Sequence, residues 1–312
     1  MASILVKLVL GLDPNKASLG LFCLGVVWTL LLNFACVTCL EAKPRGTFLS
    51  EPSLLPGGAH PQARWNSRIP IQAFPKLTEL GMRGKLVKSQ FALDRRETLC
   101  VMGVEGDSTV EQAFSQLAFL VEHEFRWLSK DVLFLIAPNS PTALQVETAA
   151  VEDYLLQYEH NASCAMQRTG PLMGAVVFQT IRQGQGNRVR INGHNGKLPN
   201  MDLINVVVQS SVTPTKLVHD NALDFALGML HGSDGLHAPF LDLGIQALTL
   251  ELAQENQDML SEMEAIVRCL SNLGERFNRS FMFYIMLNTT TFVSVDEYLC
   301  RLSRAVACTN GG

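Results

Sequence analysis

The stretch GHNGKLPNMDLIN, residues 193–205, places a turn, a proline and a helix start in consecutive positions. Asn195 and Gly196 form a turn dipeptide, and Pro199 restricts the backbone around it. Asn200 has a side chain that can accept a hydrogen bond from the first amide groups of a helix. The apolar side chains that this helix would carry are Leu203, Ile204 and Val207. The stretch therefore predicts a polar loop followed by a helix that begins after residue 200.

Two functional interpretations of this stretch are open. The helix, residues 198–208, could dock into a groove on a partner, but packing against the core of its own domain is the preferred interpretation. The polar loop at 193–197 is the better candidate for a functional surface, because loops carry contacts that core packing does not require. The residues predicted to form this partner surface are His194, Asn195, Lys197, Asn200 and Asp202.

The composition argues against nucleic-acid binding and indicates contact with lipid. Of the 312 residues, 47% are hydrophobic and only 17% are charged, which is more apolar than a typical soluble protein. The formal net charge is −4, and no long run of Lys or Arg supplies the basic face that nucleic acid needs. The chain is therefore expected to meet a membrane and no nucleic acid.

Residues 17–40 are the predicted membrane contact. They contain no charged side chain, and a helix needs about 20 such residues to cross the hydrocarbon core of a bilayer. A cleaved secretory signal has a shorter apolar core, roughly 7 to 15 residues, so an uncleaved signal-anchor is predicted. Basic residues flank the segment on both sides and do not decide its orientation.

Three Asn-X-Ser/Thr sequons after the span bear on its orientation. They begin at Asn161, Asn278 and Asn288, and sequons carry glycans only on the lumenal side. Asn161 and Asn278 are the predicted glycosylation sites, whereas Asn288 is expected to lie too near the membrane to be modified. The sequons favour a lumenal body of the chain, with residues 1–16 in the cytoplasm.

The sequence after the span predicts a tether followed by one α/β domain. Residues 41–80 are rich in Pro and Gly and cannot sustain a long helix or a central strand. Residues 81–254 alternate short apolar runs with helical patterns. The apolar runs are 99–104, 131–137, 174–178 and 245–252. Strands that alternate with helices predict a mostly parallel sheet with helices on both faces.

Helix boundaries are predicted at three places. Ser108 and Glu111 form a capping box before a helix over residues 109–128, and Ser140-Pro141 starts another helix. A last helix at about 255–279 is expected to lead back to the membrane by residue 295, followed by a tail at 296–312. A second span at that point is doubtful, because burying a carboxylate in a bilayer costs about 2.5–3.5 kcal/mol. The two carboxylates concerned are Asp296 and Glu297.

Several further motifs resemble those of one family. They are TFLSE at 47–51, KDVLFL at 130–135, HGSDGLH at 231–237, QALTLE at 246–251 and FVS at 292–294. With the stretch at 193–205, they resemble the glycosylphosphatidylinositol (GPI) anchor attachment family, the large membrane subunit of the GPI transamidase. The resemblance extends from about residue 18 to about residue 295.

The lumenal domain of that family resembles the di-zinc aminopeptidases, which implies positions for metal ligands. Such sites need a histidine, a bridging Asp, a Glu pair, another carboxylate and a final histidine around a water. The comparison puts Asp107 at the bridging position and His237 at the final histidine. The first histidine and the Glu pair are missing, because residues 103–105 read Gly-Val-Glu and residues 137–139 read Ala-Pro-Asn. Asp107 and His237 are therefore interpreted as vestigial metal-site positions, with no catalytic residue and no cofactor.

The resemblance implies a non-catalytic subunit of the GPI transamidase complex in the endoplasmic reticulum membrane. The implied partners are the other subunits, including the caspase-like cysteine protease subunit, together with the GPI lipid and the C-terminal signal of the proprotein. Two alternatives remain open. One is a membrane-bound zinc-dependent aminopeptidase-like or amide-forming enzyme, which predicts bound zinc. The other is a partial isoform that acts as a scaffold and lacks the family's further membrane helices.

Overall fold

The computed structural model describes residues 45–46, 63, 65–66, 69, 73–89, 97–125, 128–139, 144–160, 170–181, 186–211, 213–219, 235–253, 259–273 and 284–294. All of them belong to one compact unit, Arg45–Ser294, and a second unit comprises Met1–Pro44 and Val295–Gly312. The predicted span at 17–40, the sequons at Asn161 and Asn278 and the tail at 296–312 lie outside the described residues. Within the described ranges, no helix combines the length and the hydropathy needed to cross a bilayer.

Seven strands of the described chain form the main sheet. They are β2 (Arg83–Val87), β3 (Thr98–Val104), β4 (Asp131–Ala137), β5 (Leu172–Ile181), β6 (Arg188–Arg190), β7 (Lys216–Leu217) and β8 (Gln246–Ala253). Their order is β2-β4-β3-β5-β8-β6-β7. The four neighbours β4, β3, β5 and β8 are parallel, whereas β2 is antiparallel to β4 and β6 is antiparallel to β8. The predicted parallel core is confirmed, and the sheet as a whole is mixed.

Helices cover both faces of this sheet. The described α-helices are α1 (Ser108–His123), α2 (Leu144–His160), α3 (Met201–Ser210), α4 (Ala238–Asp242) and α5 (Met259–Asn272). Phe114 of α1 and Leu203 of α3 are buried in one core with Val101 of β3. Tyr154 of α2 is buried in a second core with Met102, the next residue of the same strand. Because successive side chains of a strand point to opposite faces, β3 contributes to both cores and reads as a continuous apolar run.

The start of α1 differs from the predicted capping box by one residue. The N-cap is Asp107, whose Oδ1 accepts a hydrogen bond from the amide of Val110 at 3.2 Å. Glu111 does reach back, but its Oε1 accepts the amide of Gly106 at 3.2 Å. The prediction that Ser108 is the cap was wrong because a carboxylate one position earlier takes that role.

Two helices are shorter than predicted. α1 ends at His123 rather than at residue 128, and α5 ends at Asn272 rather than near residue 279. The end of α5 is closed by Lys130, whose Nζ donates to the carbonyl oxygens of Leu270 at 3.2 Å and Leu273 at 2.5 Å. A buried cation at the carboxyl end of a helix satisfies carbonyl groups that have no partner within the helix.

The described part of the segment after α5 forms strands. β9 (Tyr284–Met286) pairs antiparallel with β10 (Thr291–Ser294), and β10 pairs with β1 (Arg45–Gly46). The phenol of Tyr284 donates to the carbonyl oxygen of Pro199 at 2.7 Å, and both Tyr284 and Met286 are buried. This three-stranded sheet therefore lies beside the stretch 193–205 and brings residues 45 and 292 next to each other.

Candidate functional site

A cleft of about 380 Å³ opens at the carboxyl ends of the parallel strands. Its walls are residues 104–109 after β3, Asn139 after β4, and Gln179 and Thr180 at the end of β5. The chain leaves β3 through α1 on one face to reach β4, and then returns through α2 on the other face to β5. In α/β sheets, ligands bind where the connections diverge in this way. The cleft is therefore the place where chemistry is expected.

Asp107 lies in the cleft wall, but internal hydrogen bonds occupy its carboxylate. Besides capping α1 through Oδ1, it accepts the amide and the hydroxyl of Thr180 on Oδ2, at 3.2 Å and 2.5 Å. Asp107 thus fastens the start of α1 to the end of β5. Its role in the described structure is to hold two elements together at the cleft.

The acidic side chains at the cleft rim are paired with a cation that the sequence did not indicate. The Nη2 atom of Arg83, on edge strand β2, lies 3.1 Å from Glu105 and 3.0 Å from Glu111. The position of the missing Glu pair is taken by Asn139, and its side-chain nitrogen lies 3.2 Å from where a Cβ on Gly106 would stand. The two carboxylates at the rim therefore share one arginine, next to the tight turn at Gly106.

His237 is fully buried and uses both ring nitrogens within the protein. Its Nδ1 lies 2.8 Å from the hydroxyl of Thr249, and its Nε2 lies 3.0 Å from the carbonyl oxygen of Asn192. The pKa of this imidazole is lowered to about 3, mainly by burial; the bond to the Asn192 carbonyl opposes this effect, and the nearby Arg190 and His194 add to it. A neutral, enclosed imidazole with two partners is a packing and hydrogen-bonding residue.

Asp107 and His237 contact opposite faces of the sheet. Thr180, the partner of Asp107, lies two residues after Phe178, which belongs to the core under α1. Thr249, the partner of His237, lies two residues after Ala247, which belongs to the core under α2. Alternation along a strand therefore separates the two partners.

The residues present do not fit a two-metal centre. Asp107 is engaged with Val110 and Thr180, an amide replaces the Glu pair, and His237 is enclosed. In the part of the chain that the structure describes, no group of three or more His, Cys, Asp or Glu side chains could hold a metal ion.

The loop at 193–197 has the turn geometry that its sequence predicts. Residues His194–Gly196 form a 3-10 turn, Gly196 has a φ of +71°, and the amide of Gly193 donates to the carbonyl of Lys197 at 2.8 Å. A Cβ on Gly193 would lie 2.7 Å from Cδ1 of Leu241 and 3.0 Å from the carbonyl oxygen of Lys197, so the loop packs closely against α4 at this glycine. The helix that follows begins after Asn200, whose Oδ1 accepts the amide of Asp202 at 2.8 Å.

Asp242 of α4 contacts two side chains of this loop, those of His194 and Lys197. Its carboxylate lies 2.7 Å from Nδ1 of His194 and 2.7 Å from Nζ of Lys197. Partial burial raises the pKa of Asp242, but the hydrogen bonds from Lys197 and His194 outweigh this effect and leave the pKa below its usual value. The side chains of His194 and Lys197 are 41% and 31% exposed, so both remain accessible at the surface.

The remaining residues of the stretch divide between surface and core. Asn200 and Asp202 are partly exposed, and the side chain of Asn195 lies outside the described part. Leu203, Ile204 and Val207 are buried, which confirms the preference for core packing over partner docking by this helix.

The family model described as "Gaa1-like, GPI transamidase component" matches residues 109–307, more than half of the chain. Among curated proteins, the chain is 28% identical to the GPI transamidase component GAA1 of Saccharomyces cerevisiae over 327 aligned positions. That alignment covers 83% of this chain and 51% of the yeast protein. The chain therefore spans about half the length of the curated relative it matches.

Solved structures similar to the described fold include two bacterial aminopeptidases. The aminopeptidase from Aneurinibacillus sp. strain AM-1 is 12% identical, with a TM-score of 0.36, covering 60% of this chain and 46% of the enzyme. The LapA aminopeptidase of Legionella pneumophila is 10% identical, with a TM-score of 0.37, covering 61% of this chain and 57% of the enzyme. Neither likeness is close enough to assign an activity.

Proposed function

The chain belongs to the Gaa1-like family of GPI transamidase components, and on this premise we propose that it is a non-catalytic subunit of a GPI transamidase complex. Its described domain would lie on the lumenal side of the endoplasmic reticulum membrane, anchored by the apolar segment at 17–40. The proposal joins the family membership to the chemistry of the cleft.

The observation that carries the non-catalytic role is the engagement of Asp107. Hydrolysis or aminolysis by a two-metal site needs a carboxylate that bridges the ions and a general base beside the attacking water. Asp107 instead accepts hydrogen bonds from Val110 and Thr180, and Asn139 offers no base. The cleft keeps the location of an active site and lacks its reactive groups.

The chemistry then belongs to a partner subunit. We assign the nucleophile to the caspase-like cysteine protease subunit, which exchanges the C-terminal signal of the proprotein for the GPI lipid amine. This chain would help to bring the lipid and the proprotein to that subunit. Its exposed loop at 193–197, with His194 and Lys197 held by Asp242, is the surface we assign to subunit contact.

The competing function is a zinc-dependent aminopeptidase-like or amide-forming enzyme, and the cleft at the strand ends is the observation in its favour. The variant Asp107→Asn separates the two functions. Asparagine is as good an N-cap as aspartate and keeps an acceptor for Val110, but its Nδ2 can neither accept the two bonds from Thr180 nor bridge cations as a carboxylate does. The lost bonds to Thr180 lower the stability of the domain, so the rates are compared per assembled complex.

The test is a transamidation assay on the purified complex that contains this chain, together with metal analysis of the same sample. We expect the rate to be equal in the unaltered complex and in the Asp107→Asn complex, and zinc bound to this chain to be absent from both. A large loss of rate in Asp107→Asn, accompanied by loss of bound zinc, would establish the enzyme function instead.

A further inference from the structure

Asn288 stands in the turn of the β9–β10 hairpin. The amides of Leu287 and Asn288 donate to the carbonyl oxygen of Thr291 at 3.0 Å and 3.4 Å, which closes the turn. Asn288 and Thr290 are exposed. The residues that fix the hairpin to the domain are the buried Tyr284, Met286 and Val293. The turn is thus held at the surface by strands whose inner side chains are in the core.

Asn288-Thr289-Thr290 is an Asn-X-Thr sequon without proline at the middle position. We propose that Asn288 carries an N-linked glycan. A glycan is bulky and hydrophilic and therefore needs a surface turn, which this hairpin supplies. The inference rests on the lumenal placement in the proposed function, because glycosylation takes place only there.

The hydrogen bonds of the turn are compatible with the modified side chain. The amide and the hydroxyl of Thr290 donate to Oδ1 of Asn288 at 2.8 Å and 2.9 Å. Glycosylation leaves Oδ1 unchanged and replaces one hydrogen on Nδ2. Both bonds from Thr290 to Oδ1 are therefore compatible with a sugar on Nδ2.

In this reaction an oligosaccharide is transferred from its lipid pyrophosphate carrier in the membrane to the side chain of Asn288. A bond forms between Nδ2 of Asn288 and the anomeric carbon of the first sugar, while the bond from that carbon to the pyrophosphate oxygen breaks. The Nδ2 proton is released, and the lipid pyrophosphate leaves as the anion.

The earlier expectation that Asn288 lies too near a membrane requires a second span directly after the hairpin. The ten residues after the hairpin contain four charged side chains. Inserting one charged side chain at the centre of a bilayer costs about 2.5–3.5 kcal/mol. The four are Asp296, Glu297, Arg301 and Arg304. This charge density argues against a span at that position and removes the reason to exclude Asn288.

The test is peptide mass spectrometry of the full-length tagged chain purified from cells with a secretory pathway. Enzymatic removal of N-glycans in heavy-oxygen water converts each modified Asn to a labelled Asp, which identifies the modified positions. In parallel, the variants Asn288→Gln and Thr290→Ala should each migrate faster on a gel, by the shift that corresponds to the loss of one glycan. The matched control Thr290→Ser keeps the sequon and should run with the unaltered chain.

We expect label at residue 288 and the loss of one step in the first two variants. Label at Asn161 or Asn278 with none at Asn288 overturns this inference and leaves the lumenal placement intact. A chain without any label overturns both the inference and the lumenal placement.

Discussion

The imidazole of His237 illustrates how one buried side chain affects the whole domain. It is enclosed between Thr249 and Asn192, and its burial lowers its pKa to about 3, whereas an ordinary histidine titrates near 6.5. Between these two values the unfolded chain binds a proton that the folded chain does not. The free energy of unfolding therefore falls as the pH decreases through this range, by about 1.4 kcal/mol per pH unit for one such group.

The substitution His237→Gln should remove this contribution. We expect the variant to be less stable at pH 7.5 by about 1–3 kcal/mol, because buried hydrogen-bonding groups lose their partner. From pH 6.5 down to pH 4.5, its stability should fall less steeply than that of the unaltered chain. Urea unfolding at several pH values measures both effects.

The matched control is His123→Gln, which changes an exposed histidine at the end of α1. Its unfolding at the same pH values gives the effect of exchanging histidine for glutamine outside the core. If His237→Gln and the unaltered chain show the same slope, the description of His237 as a neutral enclosed residue is incorrect.

The site residues also show what one sequence can and cannot reveal at this scale. Asp107 was identified because it directly follows a predicted strand, and Asn200 because helix caps are local. Arg83 and Asp242 were missed, because each meets its partners across many residues of chain: Arg83 meets Glu111, and Asp242 meets His194. Such contacts depend on how strands and helices are arranged, which single-residue patterns do not encode.

Among the elements, apolar runs predicted the four central strands within a few residues. Their burial on both faces produces a signal that extends over the whole strand. The strands outside the parallel centre, β2, β6 and β7, were not predicted, because they are short and polar and depend on pairing with a neighbour. The predicted start of α1 and the predicted end of α5 were wrong for a related reason. Asp107 determines the first boundary and Lys130 the second, through contacts at the helix ends.

α5 also anchors a part of the segment predicted to be a tether. The amide of Ala63 donates to Oε2 of the fully buried Glu264 at 2.5 Å, and Ser261 donates to the carbonyl oxygen of Ala63 at 3.2 Å. Glu264 also pairs with Arg268 one turn later on the same helix, and that guanidinium lies over the ring of Phe125. A single carboxylate thus joins the polypeptide at residue 63 to a buried ion pair.

The substitution Glu264→Gln should destabilise the domain strongly. It removes the carboxylate charge that pairs with the buried Arg268, and breaking a buried pair costs about 3–5 kcal/mol. The comparison is Glu122→Gln, which breaks the partly exposed pair with Lys85 and should cost less than about 1 kcal/mol. Urea unfolding at pH 7.5 provides the two values. Equal effects would show that the buried pair of Glu264 and Arg268 does not stabilise the fold.

For the whole molecule, the sequence predicted family and fold class more readily than mechanism. The resemblance carried by separate motifs is confirmed by the family match over residues 109–307. The mixed sheet has the predicted parallel centre, and its antiparallel edges came only with the structure. From the missing residues the sequence predicted an incomplete set of metal ligands, but the hydrogen bonds that engage Asp107 and His237 became visible only with the positions of Thr180 and Thr249.

The described domain has its entry and exit next to each other, because β1 pairs with β10. The chain spans about half of its yeast relative, so assembly with other subunits is the property that most needs a direct measurement.

That measurement is quantitative mass spectrometry of proteins that co-purify with the full tagged chain from membranes dissolved in mild detergent. A tagged single-span protein of the same membrane serves as the control for non-specific recovery. We predict that the caspase-like transamidase subunit is enriched with this chain and not with the control. If that subunit is absent while the chain is recovered folded and glycosylated, the chain is not a component of the transamidase.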